Sequence, residues 1–266
     1  MPFDSVEESE RKKIADEKLE NHKQLMPSLF KRRPIHDSAE AEGCDVLFSH
    51  CFCFVPILFG LTEGGDSLRK ALEKLDPISL YSEYKKYLQV LSKGSPKLRW
   101  VLKSPLHALF CDKLSEVFGE EPFFVHTHRE PSKAVSSLAS LCKSVNSVYQ
   151  KYYCPSQLGE KCLLNPITDS ILSFRNNMTP KQQERWYDVQ YRDLLIDPIP
   201  VVKAIYHKFG LEYSKTFEER MRAWLQKNPQ FVSGKYTYSI EEFGLNEETV
   251  TSKFNKYSEW VEKNKK

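Results

Sequence analysis

Apolar residues are spread unevenly along the 266-residue chain, and their spacing predicts its elements. From Ser5 to Gln24 nearly every position is charged or polar, with Val6, Ile14, Leu19 and Leu25 as sparse apolar points. This pattern predicts a peripheral helix or arm over residues 1–30. An apolar run from Val46 to Leu61 follows, interrupted by His50 and Pro56 and too short for a bilayer span. Leu68–Leu72 and Tyr81–Leu91 carry apolar residues at helical spacing, with Pro77 between them, and the pattern returns over Leu158–Phe174, Val201–Phe209 and Phe217–Leu225. Trp100-Val101-Leu102, Phe123-Phe124-Val125 and Trp186–Tyr191 read as strands. Helices outnumber strands, and no long linker or repeat divides the chain, so one helix-rich α/β domain over residues 1–266 is expected.

Two of these strands end in polar or cationic residues and lead into helices. The first continues as Lys103-Ser104-Pro105-Leu106-His107 and the second as His126-Thr127-His128-Arg129-Glu130-Pro131. In open α/β sheets the carboxyl ends of the strands line the ligand crevice, so these groups outline an anion site. Pro131 suits the first turn of a helix, which places Ser137 two turns in, eight residues beyond Arg129. A guanidinium fork and a hydroxyl in that relation can grip a phosphate from two sides. The same residues also allow a plainer arrangement, in which Arg129 pairs with Glu130 and Ser137 bonds its own helix backbone.

The run Arg99–His107, then His126–Pro131 with Ser136-Ser137-Leu138-Ala139-Ser140-Leu141, resembles the sulfotransferase family that uses 3′-phosphoadenylyl sulfate (PAPS). Tyr187–Pro198 continuing to Ile205–Leu211, and Tyr238–Leu245, resemble it too, in the family's order. The resemblance implies a three-layer helix-sheet-helix fold with a short parallel sheet of the P-loop nucleotide-binding type. It also implies transfer of a sulfuryl group from PAPS to a hydroxyl or amine on a small-molecule or glycan acceptor. Arg129 and Ser137 match the pair that holds the 3′-phosphate, Tyr191 an aromatic residue against the adenine, and Lys103 a lysine that reaches the transferring group. Gly234 and Lys235 fall where the family has a loop closing over the nucleotide.

One expected feature is missing from these residues. The family's first, central strand leads into a loop rich in Gly, Ser and Thr whose backbone N–H groups cradle the 5′-phosphosulfate. The first glycine here is Gly43, and the Gly-rich stretch Thr62-Glu63-Gly64-Gly65-Asp66-Ser67 carries two acids. Either the sequence lacks an N-terminal portion, or the chain is a catalytically impaired relative that binds adenosine 3′,5′-bisphosphate. Sulfuryl transfer also needs a base near the attacking hydroxyl; Glu42 and His107 are the candidates, with a helix-start acid and a first-turn surface histidine as their plainer readings.

The formal charge of +3 does not point to nucleic acid. The seven cysteines are scattered without a repeated short pair, which argues against zinc and for a reducing compartment such as the cytoplasm. The resemblance leaves room for a Golgi protein behind an N-terminal anchor. His126 and His128 alternate on one strand and therefore share a face, but no third ligand is evident, and no metal is expected. A phosphoryl-transfer enzyme would need a Gly-x-x-x-x-Gly-Lys-Ser/Thr loop that the sequence lacks.

Overall fold

The computed structural model describes residues 7–27, 76–93, 99–149, 152–229 and 239–264, with the single positions 30, 43, 44, 47, 48, 70 and 74. Most of the Val46–Leu61 run, the Thr62–Ser67 stretch and most of Leu68–Leu72 lie outside them. The first helix, α1 (Glu8–Leu25), is exposed or half-buried throughout its described side chains, as its polar sequence predicts. Pro77 begins α2 (Pro77–Leu91) instead of merely breaking the chain, because the Asp76 carboxylate accepts from the Ile78 and Ser79 N–H groups at 3.0 and 3.2 Å. Leu80, Tyr81, Tyr84 and Leu88 form its buried stripe. They pack with Cys44, Phe48, Leu106 and Leu114, joining α2 to the short α3 (Leu106–Leu109) and to α4 (Cys111–Phe118). Gly119, at φ 62°, ends α4 in a conformation that other residues rarely adopt.

The sheet consists, among the described residues, of two parallel strands, β1 (Phe124–His128) and β2 (Trp186–Gln190). Phe124 faces Trp186, His126 faces Asp188 and His128 faces Gln190 in the ladder. The crossover between them is helical: α5 (Pro131–Tyr149), α6 (Pro155–Leu163), α7 (Ile167–Asn176) and α8 (Pro180–Glu184). Pro131 opens α5 as predicted. The Leu158–Phe174 pattern resolves into two helices, α6 and α7, with Pro166 directly before the second and the Asn165 side chain accepting from the Ile167 N–H at 3.0 Å. After β2 come α9 (Tyr191–Ile196), α10 (Pro198–Lys208), α11 (Lys215–Lys227), a 3₁₀ turn at Glu241–Phe243 and α12 (Glu247–Asn264). Gly210 terminates α10 at φ 63°, as a C-terminal glycine should.

Trp100-Val101-Leu102 departs from expectation. Residues 99–103 run outside any strand, and Val101 is 90% exposed. A strand needs a hydrogen-bonded neighbour, and no described strand stands beside this segment.

A second apolar cluster ties the crossover to the C-terminal region. Val135, Ala139 and Cys142 of α5 pack with Leu158, Cys162 and Leu163 of α6, and with Ile240, Phe243, Val250 and Phe254. At Gly159 a Cβ would stand 2.1 Å from the Phe243 carbonyl oxygen, so the absence of a side chain lets α6 touch the 3₁₀ turn directly.

Candidate functional site

Register places the first two site residues. His128 and Gln190 are ladder partners, so the residues that follow them, Arg129 and Tyr191, leave the carboxyl ends of adjacent strands side by side. The Arg129 guanidinium lies over the Tyr191 ring, 4.9 Å from its centroid. Ser137 stands on α5, half-buried. Its neighbours on that helix are spent on structure: the Ser136 hydroxyl donates to the Ser132 carbonyl at 2.7 Å, Ser144 donates to the Ser140 carbonyl at 3.0 Å, and Ser132 donates to Glu247. The Ser137 hydroxyl takes part in none of these bonds.

Lys103 is exposed, and its backbone is tied to Cys44. The Cys44 N–H donates to the Lys103 carbonyl at 2.8 Å, and the Lys103 N–H donates to Cys44 Sγ at 3.0 Å. His107 is no surface residue. It is half-buried among Phe48, Tyr81 and Tyr84, with ring centroids 5.5–6.0 Å away, and its Nδ1 is 3.1 Å from the Tyr81 hydroxyl. Glu42, Gly234 and Lys235 lie outside the described residues.

The opposite face of the strands carries a network that sequence reasoning missed. His126 and His128 share that face, their rings 4.1 Å apart. Asp188 supplies the third group, brought there by its ladder pairing with His126 across a crossover of some sixty residues. Ligating atoms of the three gather within 4.8 Å. The Asp188 carboxylate, however, is already engaged. It accepts from both ends of the Arg175 fork at 2.7 and 3.0 Å, from the Trp186 indole at 3.1 Å and from His128 Nε2 at 2.8 Å. A cation there would compete with Arg175, whose guanidinium lies between the Trp186 and Trp260 rings at 4.5 and 4.7 Å. The chemistry of the set therefore fits a neutralised structural network better than a metal centre.

Burial works against the Asp188 charge, but hydrogen bonds from His128 and Arg175, reinforced by the Arg175 charge, outweigh it and hold the carboxyl down at about 2. His126 responds the other way. Burial, aided by His128, pushes its imidazole down to about 3. Its Nδ1 is inaccessible and has no hydrogen-bond partner, with Asp188 3.8 Å away. His128 Nδ1 reaches the Tyr257 hydroxyl at 2.8 Å, which ties β1 to α12. Only the alternation of His126 and His128 hinted at this network; Arg175, Asp188 and Tyr257 lie too far apart in sequence to signal it.

A cavity of about 270 Å³ opens at the other end of the sheet, lined by Phe124, Trp186, Phe174, Met178, Lys181 and Arg185. Phe124 and Trp186 begin the two strands, so this cavity is remote from Arg129 and Tyr191.

The parallel strands and the helical crossover are the architecture that the resemblance implied. A model of the sulfotransferase family matches residues 7–215. The chain belongs to the sulfotransferase family. Two solved mycobacterial sulfotransferases share its fold. STF9 from Mycobacterium avium superimposes with a TM-score of 0.63 and 28% identity over 72% of this chain and 49% of its own. STF1 from Mycobacterium tuberculosis H37Rv gives 0.69 and 23% identity over 87% of this chain and 62% of its own. Among curated proteins, the omega-hydroxy-beta-dihydromenaquinone-9 sulfotransferase Stf3, from Mycobacterium bovis and Mycobacterium tuberculosis, is 22% identical over 156 residues. The match covers 56% of this sulfotransferase-family chain and 38% of Stf3, well under half the length of that relative. No described helix is long and apolar enough to cross a membrane.

Proposed function

We propose that this chain transfers a sulfuryl group from PAPS to a hydroxyl or amine of a small-molecule or glycan acceptor. The observation that carries the reading is the contact of Arg129 with Tyr191 at the carboxyl ends of β1 and β2, in a chain of the sulfotransferase family. Arg129 and Ser137 bind the 3′-phosphate, the first as a planar charged fork and the second as a hydroxyl donor. Both fix the donor so that its sulfur faces the acceptor in line with the bridging oxygen. Lys103 extends from its Cys44-anchored backbone to the bridging oxygen and stabilises the charge that develops there as the sulfur–oxygen bond breaks. The acceptor's proton passes to a base as its oxygen or nitrogen bonds sulfur; His107 and Glu42 are the candidates, and Lys235 belongs to a loop over the nucleotide. The products are the sulfated acceptor and adenosine 3′,5′-bisphosphate.

Support for a hydroxyl acceptor comes from the name of Stf3, which specifies an omega-hydroxy-beta-dihydromenaquinone. A second reading, binding of adenosine 3′,5′-bisphosphate without transfer, is favoured by one sequence observation: these residues keep the 3′-phosphate groups but carry no Gly/Thr-rich phosphosulfate loop. Incubation with PAPS labelled in its sulfate and a panel of hydroxyl acceptors separates the two. Labelled product that falls at least about 100-fold in Lys103→Ala supports transfer, consistent with loss of one charge-stabilising group. Nucleotide binding with no labelled product in any arm supports the second reading.

A further inference from the structure

One face of the Tyr191 ring is in contact with a cation. The Arg129 guanidinium is centred 4.9 Å from the ring, within cation–π range, and the strand register explains why. A guanidinium on a flexible chain has many rotamers, and fixing it against a half-buried ring removes most of them before any ligand arrives. The face that Arg129 covers is closed to a base while that contact holds. We propose that Tyr191 is a positioning residue that acts on the nucleotide through Arg129, and that it sets the preference for 3′-phosphorylated adenine nucleotides over those lacking the 3′-phosphate. This rests on the nucleotide site described above and deepens it: selectivity at the ribose-bound phosphate arises from a stacked guanidinium aimed by the adjacent strand end, while adenine affinity arises elsewhere.

The two roles of Tyr191 differ in what its removal does to a pair of ligands. An adenine platform contributes equally to adenosine 3′,5′-bisphosphate and adenosine 5′-phosphate, which carry the same base. A residue that aims Arg129 contributes only to the first. Isothermal titration of the full chain with both ligands gives the ratio of their dissociation constants, in the wild type and in the Tyr191→Leu and Tyr191→Phe variants. In Tyr191→Leu the ratio is expected to shrink by about fivefold, the scale of a partly exposed cation–π contact, with the affinity for adenosine 5′-phosphate unchanged. Tyr191→Phe keeps the ring and should keep the wild-type ratio. Equal weakening of both ligands in Tyr191→Leu overturns the proposal in favour of an adenine platform. A smaller ratio in Tyr191→Phe overturns it in favour of the hydroxyl, and this arm stands even if the leucine variant fails to fold. A wild type that binds neither ligand overturns the nucleotide site itself, and a wild type that binds both with equal affinity overturns only the proposed selectivity.

Discussion

Asp188 is the residue on which the strand-end architecture turns. Its two oxygens accept four hydrogen bonds, and the Arg175 side chain it neutralises is only 10% exposed. Removing one partner of such a pair leaves a buried charge alone, which costs far more than losing an exposed pair such as Lys86–Glu83. Asp188→Asn should therefore lower unfolding stability by about 3–5 kcal/mol in urea titration, whereas Glu83→Gln should change it by less than about 1 kcal/mol. His126 gives the same face a pH dependence. Above its ordinary value near 6.5 the imidazole is neutral in both the native and the unfolded chain. As pH falls below that, the unfolded chain binds a proton that the native state refuses until about pH 3, so stability is lost on acidification through this window. Between pH 6.5 and 4.5 the wild type should lose about 1–2 kcal/mol more than His126→Phe, read from urea midpoints at each pH; parallel curves would contradict the assignment. Little of this was legible in the sequence. Arg129 stood out because it follows a short apolar strand, and Tyr191 only through the family resemblance. Asp188 looked like one acid among many, because its meaning comes from a ladder partner far away in the chain.

Helix starts fixed by local chemistry leave a signature in sequence, although apolar spacing alone begins α2 at Tyr81 and shows no helix at Pro180–Glu184. Asp76, Thr179, Asp197 and Ser214 each accept from backbone N–H groups at a helix start, and three of them precede a proline at the first helical position. Such signals need no knowledge of the rest of the fold. The Trp100–Leu102 segment had only apolar residues to recommend it as a strand, and pairing depends on a distant neighbour that apolarity does not name. Close approach between elements is equally invisible. Gly159 lies within a helix and looks replaceable by alanine on propensity alone. The Phe243 carbonyl 2.1 Å from its would-be Cβ reverses that expectation, because the obstacle is backbone and cannot rotate away. Gly159→Ala should destabilise the protein by about 1–3 kcal/mol, visible as a lower melting temperature; an unchanged or raised value would show that α6 can shift without cost.

Across the whole molecule, the elements that carry the proposed donor site depend on a region beyond the family match. That match ends at residue 215, yet Ile240, Phe243, Val250 and Phe254 bury α5, the helix that carries Ser137, and Tyr257 bonds His128 one residue before Arg129. The C-terminal helix thus braces both groups assigned to the 3′-phosphate. Phe243, fully buried, should cost about 3–5 kcal/mol on substitution by alanine. The central claim is that Arg129 belongs to a site for a ribose-bound phosphate, and the melting temperature with and without adenosine 3′,5′-bisphosphate tests it most directly. A ligand that binds only the folded state at about one hundred times its dissociation constant adds about 2.7 kcal/mol, a rise of roughly 5 °C or more for a chain of this size. The account predicts that rise in the wild type and its disappearance in a folded Arg129→Ala variant. No rise at millimolar ligand, or an equal rise in both proteins, would contradict it.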